Sequence, residues 1–361
     1  MSVDEFLHLL KYDREELAIK AKQKCVNKYS NQVTFSRNIF IPVTHQCRNR
    51  CAYCSFVSDD PNTWIELSSY KDLISKAKKE DCKEVLLTMG EKPEEKYDSA
   101  KKFLGRMGFQ TTTQYVNTLC EIALNNKLLP HSNLGVLSSS ELEVLQQTNA
   151  SLGLMLETHS NRLMNEGKPH QYSPGKNPNL RLETIENAGK LKIPFTTGIL
   201  VGIGETLIER IESLLILADL SKKFEHIQEV IVQNFNPQEN TPMANYPAPQ
   251  EEEILATISL ARLILPVDVS IQVPPNLNRE RIISALNSGA NDIGGISPIT
   301  IDYINPNMKW QEETYLLNEL KSSGFILKER FAVYPHYEKY LNSRIREIIE
   351  EFRANEKVSI S

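Results

Sequence analysis

Residues 38–56 read NIFIPVTHQCRNRCAYCSF. The first part, residues 38–43, is a short apolar run of strand length. Three cysteines follow within eight residues, Cys47, Cys51 and Cys54, spaced C-x3-C-x2-C, with Tyr53 just before the third. Three thiolates on one short loop can hold three irons of a 4Fe–4S cube. A closed cube takes four, so the fourth iron stays open to a non-protein ligand. Arg48 and Arg50 put positive charge beside an anionic cluster, which lowers thiolate pKa values. The same residues can instead make a tetrahedral zinc site, with His45 or a remote cysteine as fourth ligand. Zinc sites, however, usually pair their cysteines as C-x2-C or C-x4-C on separate knuckles. The other cysteines, Cys25, Cys82 and Cys120, are scattered and read as small apolar packing residues, not as a disulfide framework.

Downstream of this loop, short apolar runs alternate with helical stretches. Strands are expected over 84–89, 131–137, 151–157, 194–201, 228–235, 268–273 and 292–296. Helices are expected over 70–80, 113–125, 138–145, 181–191, 209–221, 251–265 and 279–288, with Ser138 and Glu141 forming a capping signal. About eight such alternations have the size and order of a TIM-type (β/α)8 barrel. A doubly wound α/β sheet has the same local texture, so periodicity leaves both open. The expected organisation is an N-terminal helical extension over 1–35, the barrel over 36–330 and a C-terminal helix over 331–361. Residues 236–250, with Pro237, Pro242, Pro247 and Pro249, read as a strand-to-helix loop. In a barrel the chemistry sits where strands end and helices begin.

The chain has 361 residues, 40% hydrophobic and 24% charged, with 15 Gly and 18 Pro, which excludes collagen and long disorder. A net charge of −5 argues against a broad nucleic-acid surface and a polybasic membrane anchor. No apolar run reaches the 18 or so residues of a membrane span. The acidic N-terminus, with Asp4, Glu5, Asp13 and Glu15, is not a secretory signal. The expectation is a cytoplasmic protein.

The cysteine loop, placed directly after the first strand, resembles that of the radical S-adenosylmethionine (SAM) superfamily. The resemblance implies a 4Fe–4S cluster whose open iron binds the amino and carboxylate groups of SAM. It also implies an external reducing electron donor and cleavage of SAM to methionine and a 5′-deoxyadenosyl radical. Met89-Gly90-Glu91 resembles the superfamily's GGE-type segment, with Met89 in place of the first glycine, and places Gly90 and Glu91 against the SAM amino group. Gly198–Glu205 fits G-x-I-x-G-x-x-E with Leu200 for Ile, which assigns Gly198, Gly202 and Glu205 to the adenosyl side. Tyr53 occupies the aromatic position of the loop. Glu157 is a candidate for a ribose or amine, or equally a cap or ion pair; Arg162 is a candidate for the SAM carboxylate, or equally a solvated helix residue.

Longer stretches, 29–56, 128–137, 150–158, 173–176, 193–206, 226–243 and 294–306, look like the 7,8-didemethyl-8-hydroxy-5-deazariboflavin synthases, over about residues 35–328. That family makes the deazaflavin chromophore of coenzyme F-420. The resemblance implies a substrate, 5-amino-5-(4-hydroxybenzyl)-6-(D-ribitylimino)-5,6-dihydrouracil, made from tyrosine and a ribitylaminouracil by a CofH-type partner enzyme. It further implies a lyase reaction: hydrogen-atom abstraction, ring closure and loss of ammonia. Gln233 and Asn234 can read a uracil edge, or equally cap the loop that follows. Asn234, Asn236, Asp302 and Tyr303 are candidates for the ribityl hydroxyls at the barrel mouth, although Asp302 and Tyr303 read more readily as a capped, packed turn. His45, His131, His159 and Tyr303 are candidate bases, with His45 and Tyr303 foremost. The alternatives are a CofH-like, biotin-pathway or thiamine-pathway relative, or a non-catalytic Fe–S or zinc protein.

Overall fold

A computed structural model describes residues 3–12 and 14–359. Met1, Ser2, Asp13, Ile360 and Ser361, which fall in the expected terminal segments and N-terminal reading, lie outside the described residues. Eight parallel strands alternate with helices and close on themselves: β1 (Gln32–Pro42), β2 (Glu84–Thr88), β3 (Leu129–Asn133), β4 (Ser151–Gly153), β5 (Phe195–Val201), β6 (Ile227–Asn234), β7 (Ser270–Gln272) and β8 (Asp292–Ile296). Pairing of β1 with both β8 and β2 completes the ring, so the sheet is a barrel and not the open doubly wound alternative. A further strand, β9 (Ile326–Glu329), runs parallel to Gln32–Phe35. Its register lies on the part of β1 that precedes Asn38, where the pairing with β2 begins, so it covers backbone that would otherwise be an open edge.

The helices pack as an outer layer because each carries one apolar face. Helix Leu207–Phe224 starts with a full capping box of Thr206 and Glu209, and buries Ile211, Leu214 and Leu217. Helix Ser139–Gln146 starts with the expected box of Ser138 and Glu141. The N-terminal helix Arg14–Tyr29 packs on helix Glu251–Ile264, closing the layer.

Several boundaries differ from the sequence reading. β4 stops at Gly153 instead of continuing to Glu157; only an isolated bridge, Glu157 to Ile199, remains. β3 ends at Asn133 rather than 137. The sequence reading names neither the helix Asp98–Arg106, whose apolar face is only Ala100, Phe103 and Leu104, nor the strand β9, which has no buried alternation. After β9 the chain does not simply become helix. Residues 330–334 cross the lower end of the barrel: Arg330 N donates to Phe35 O, and Ala332 O accepts from Ser151 Oγ and Gln228 Nε2. The helix Ser343–Ser359 follows. Among the described residues no helix is long and apolar enough to cross a membrane.

Candidate active site

The cysteine loop begins at the top of β1 and is held from two sides. From β2, Gly90 N donates to Thr44 O and Arg48 N to Glu91 O, at 2.9 and 3.0 Å. From the segment after β4, Arg50 N donates to Tyr172 O, Ala52 N to Pro169 O, and Gly175 N to Asn49 Oδ1. Gly90 is required by the first of these contacts. A Cβ there would lie 1.9 Å from Gln46 O and 2.7 Å from the Cys47 Cβ. Gly90→Ala must therefore push the cysteine loop outward. We expect a folded protein with low iron content after reconstitution and about a 10²-fold loss in kcat/KM, the cost of misplacing reacting groups by an ångström. Wild-type iron and activity in this variant would show that the close approach is dispensable.

Cys47, Cys51 and Cys54 all line one cavity of about 390 Å³ that opens at this end of the barrel. All three are free thiols. Sulfur acceptors are already matched with donors: Glu91 N and Asn49 N point at the Cys47 sulfur at 3.2 and 3.4 Å, and Ser173 Oγ at the Cys51 sulfur at 3.3 Å. Such bonds to ligand sulfurs are a means by which proteins hold and tune Fe–S clusters. Among the described residues no three His, Cys, Asp or Glu side chains converge where one metal ion could sit. Cys47, Cys51 and Cys54 line the cavity together with Tyr53 and Glu91. A cube takes one iron per thiolate at separate corners and fits this donor set.

Arg48 and Arg50 do not act as the sequence reading supposes. Arg48 is spent on Glu91 and Glu95, at 2.6 and 2.5 Å, and Arg50 pairs with Asp59 and Tyr97. Burial dominates instead: it pushes the Cys47 thiol up, and pushes Cys54 up to about 12 with the neighbouring Cys51 adding to the effect.

Glu91 is the most constrained carboxylate of the site. It accepts from Arg48 Nε and Nη2 at 2.9 and 2.6 Å and from Val136 N at 3.2 Å, and Arg181 Nη2 stands 3.6 Å away. Gly135 and Gly175 leave the room its side chain fills; a Cβ on either would collide with it. Glu157 lies in the left-handed region at φ 64°, a strained backbone for a glutamate, and pairs with Lys176 at 2.5 Å. Lys176 in turn lies over the Tyr53 ring, whose hydroxyl meets His170 Nε2 at 3.0 Å. Lys176, Arg181 and Ser173 were not singled out as site residues by sequence. The signal available was the Ser173–Lys176 stretch itself, on a loop that tertiary structure folds back over the cysteines.

Of the candidates, Tyr53, Gly90, Glu91, Glu157, Gln233, Asn234 and Asp302 line the same cavity as the cysteines, together with His131 and Asn236. His45, Tyr303, Arg162, Gly198, Gly202, Glu205 and His159 are not part of that lining. His45 Nδ1 meets Phe56 O at 2.7 Å, and its ring stacks on Phe56 and lies edge-on to Tyr303. Gly198 makes room for Met155, which does line the cavity. Glu205 locks the turn after β5: it accepts from Gly202 N, Ile203 N and the Arg210 guanidinium, at 2.8, 2.9 and 2.6 Å. Arg162 binds Glu209 and the Gly204 carbonyl, and its hydrogen bond holds the Glu209 carboxyl down to about 2. His159 pairs with Glu212 on the outer layer.

Residues 41–217 match the Radical SAM superfamily. A closed parallel barrel with a C-x3-C-x2-C loop at its strand ends, matching that superfamily, defines a radical SAM enzyme. Two solved structures share the fold: methylornithine synthase (TM-score 0.72, 21% identity, covering 94% of this chain and 96% of that one) and an FeFe-hydrogenase maturase from Carboxydothermus hydrogenoformans (TM-score 0.72, 19% identity, 97% and 87%). Sequence relatives are far nearer. The 7,8-didemethyl-8-hydroxy-5-deazariboflavin synthase of Methanopyrus kandleri is 44% identical over 330 residues, 90% of this chain and 98% of that protein. That of Methanothermobacter thermautotrophicus is 47% identical over 322 residues, 88% and 97%. The chain belongs to the family of 7,8-didemethyl-8-hydroxy-5-deazariboflavin synthases.

Proposed function

We propose that this enzyme is a carbon–nitrogen lyase that converts 5-amino-5-(4-hydroxybenzyl)-6-(D-ribitylimino)-5,6-dihydrouracil to the deazaflavin, releasing ammonia. The observation that carries the reading is the near full-length identity to the deazariboflavin synthases, joined to a cavity that runs from the cysteines into the barrel. Cys47, Cys51 and Cys54 would hold the 4Fe–4S cluster, and Tyr53, Gly90, Glu91 and Glu157, which line the same cavity, would hold SAM. When bound, this pair supplies a carbon radical that abstracts hydrogen. The rest is the work of side chains.

Glu91, fixed by Arg48 and flanked by Arg181, presents carboxylate and backbone to the SAM amino group. Glu157 and Lys176 offer one charge of each sign at the adenosyl side. Gly198, Gly202, Glu205 and Arg162 act there through the shape of the β5 strand and turn. Gln233 and Asn234 supply amides to the uracil edge, and Asp302 accepts from the Ile304 and Asn305 amides, which fixes the loop after β8 as part of the cavity wall. A barrel interior closed below by residues 330–334 keeps water from a reactive radical. His45, with Nδ1 engaged at Phe56 O, has Nε2 as its remaining acceptor for a proton, and Tyr303 stands beside it. The substrate comes from a CofH-type partner enzyme, electrons come from an external reductant, and the setting is cytoplasmic.

The test is anaerobic. Protein reconstituted with iron and sulfide, reduced and given SAM plus the tyrosine–uracil adduct is expected to yield 5′-deoxyadenosine and deazaflavin fluorescence together. Free tyrosine in place of the adduct is expected to give no deazaflavin. 5′-Deoxyadenosine without deazaflavin would keep the radical SAM chemistry and discard the substrate.

A further inference from the structure

The interior of a TIM-type barrel is normally filled by layers of branched aliphatic side chains. Here the inward positions form three bands of different chemistry, set by strand register. Asn38 pairs with Glu84, and Thr196 with Glu229, near the lower end. Two residues higher on the same strands, Phe40 pairs with Leu86, and Gly198 with Ile231. Two residues higher again come Thr88 and Gln233, at the mouth. Glu84 starts β2 and Thr88 ends it, so floor and mouth are roughly 13 Å apart at about 3.3 Å per residue. One continuous cavity is lined by all three bands.

The floor is polar and built to stay so. Asn38, Glu84, Glu229 and Arg330 form it, with His131 and Gln272, the register partners of Leu86 and Ile231, at its rim. Asn38 is 1% exposed, yet its Oδ1 has no hydrogen-bond partner. Leaving a buried amide oxygen unpaired costs about 1–3 kcal/mol. Glycines make the space for these amides: a Cβ on Gly295 would sit 2.0 Å from Asn38 Nδ2, and one on Gly294 2.2 Å from Gln272 Nε2. The Glu84 carboxylate accepts from Ser36 and retains further lone pairs. A floor of amides and carboxylates with an unmet acceptor fits a ligand that carries several hydroxyls, each both donor and acceptor. The apolar band above it, Phe40, Leu86, Leu154 and Ile231, fits the faces of an aromatic ring.

We infer that the floor of the barrel is a polyol subsite: the substrate enters ribityl chain first, with its hydroxyls on Asn38, Gln272 and Glu84 and its ring system in the apolar band below the cysteines. This rests on the substrate assigned under Proposed function. It places the chain at the opposite end of the barrel from Asn234, Asn236, Asp302 and Tyr303, the mouth residues to which the sequence assigns it. The reacting half of the molecule is then the half nearest the cysteine loop.

The test uses reconstituted holoenzyme with SAM and no reductant, titrated anaerobically by calorimetry with the adduct and with an analogue carrying methyl in place of ribityl. Wild-type protein is expected to bind the adduct at least about 10²-fold more tightly, since each 1.4 kcal/mol is tenfold. Asn38→Ala and Gln272→Ala are expected to raise the adduct Kd about tenfold each and to leave the methyl analogue's Kd unchanged. The reduced enzymes should show the same pattern in KM, with kcat largely kept. Equal wild-type affinity for the two ligands overturns the subsite and leaves the substrate reading standing, and this comparison needs no variant to fold. Variants that weaken both ligands alike also overturn it. Binding of neither ligand by wild type removes the substrate reading and the subsite with it.

Discussion

Replacing any one of Cys47, Cys51 or Cys54 by Ala is expected to remove the brown 4Fe–4S absorption and to lower 5′-deoxyadenosine formation on the order of 10³-fold or more, the scale seen when one member of an interdependent catalytic unit is lost. The three thiols sit on one loop and line a single cavity. The arrangement has no spare: Cys25, Cys82 and Cys120 are buried elsewhere, with Cys82 bonded to Asn38 O and Cys120 beside Ser132 and Asn149. None of these can substitute without rebuilding a strand or helix. Ser173→Ala separates holding from tuning. It deletes the hydroxyl aimed at the Cys51 sulfur, which also accepts from Arg50 N, while Arg50 N keeps its bond to Tyr172 O; the cluster should therefore form with its reduction potential lowered, because a donor to a ligand sulfur favours the more negative, reduced state. Full cluster and full activity in a Cys→Ala protein, measured by iron analysis and product, would falsify the assignment of the triad.

What the sequence revealed followed the range of the signal. Cys47, Cys51, Cys54 and Tyr53 are neighbours in the chain, so spacing alone places them, and the strand–helix alternation is likewise local. Glu91 and Gly90 were legible as a short motif, although the structural need for Gly90 is the approach of Gln46 O, which no pattern announces. Side-chain partners were not legible. Arg48 and Arg50 are adjacent to cysteines in sequence, yet their guanidinium groups reach Glu91, Glu95 and Asp59. Glu205 fits a cofactor motif, and its carboxylate closes its own turn. The polar floor was hidden for another reason. Glu84, Glu229 and Asp292 stand near strand starts, where a polar residue reads as an exposed strand end. Only the closure of the barrel turns those positions inward, and the counter-charge of Glu229 and Asp292, Arg330, comes from beyond β9.

That counter-charge makes the second large prediction. Arg330 donates from Nε and Nη2 to Asp292 at 2.6 and 3.1 Å, and from Nη2 to Glu229 at 2.8 Å; Tyr334 adds a bond to Glu229 at 2.9 Å. All of this lies inside the barrel floor. Asp292 has the larger share of the cation, which together with Thr34 holds its carboxyl below the usual range against the effect of burial. Glu229 is pushed up to about 7, chiefly by burial, with Asp292 opposing the relief that Arg330 gives. Arg330→Met removes the cation and leaves two buried carboxylates facing each other, a loss of about 3–5 kcal/mol near neutral pH. The sign of the pH dependence follows. In the wild type the native state keeps a proton on Glu229 that the unfolded chain releases above about 4.5, so this group's contribution is full below that pH and is lost as pH rises through about 7. Asp292 works in the opposite sense: its contribution is present above its unfolded pKa and is lost as acid protonates it in the native state. In Arg330→Met both carboxyls lose the group that favours their charged forms, so both bind protons more readily in the native state. The deficit relative to wild type is therefore expected to be smaller at pH 5.5 than at pH 7.5 in urea denaturation of the anaerobic apoprotein. Adding Glu229→Gln and Asp292→Asn to Arg330→Met should recover part of the loss at pH 7.5, because the uncompensated charges go with it. A deficit that does not change with pH, or no recovery in the triple variant, would mean that Arg330 stabilises the floor by packing its stem rather than by its charge.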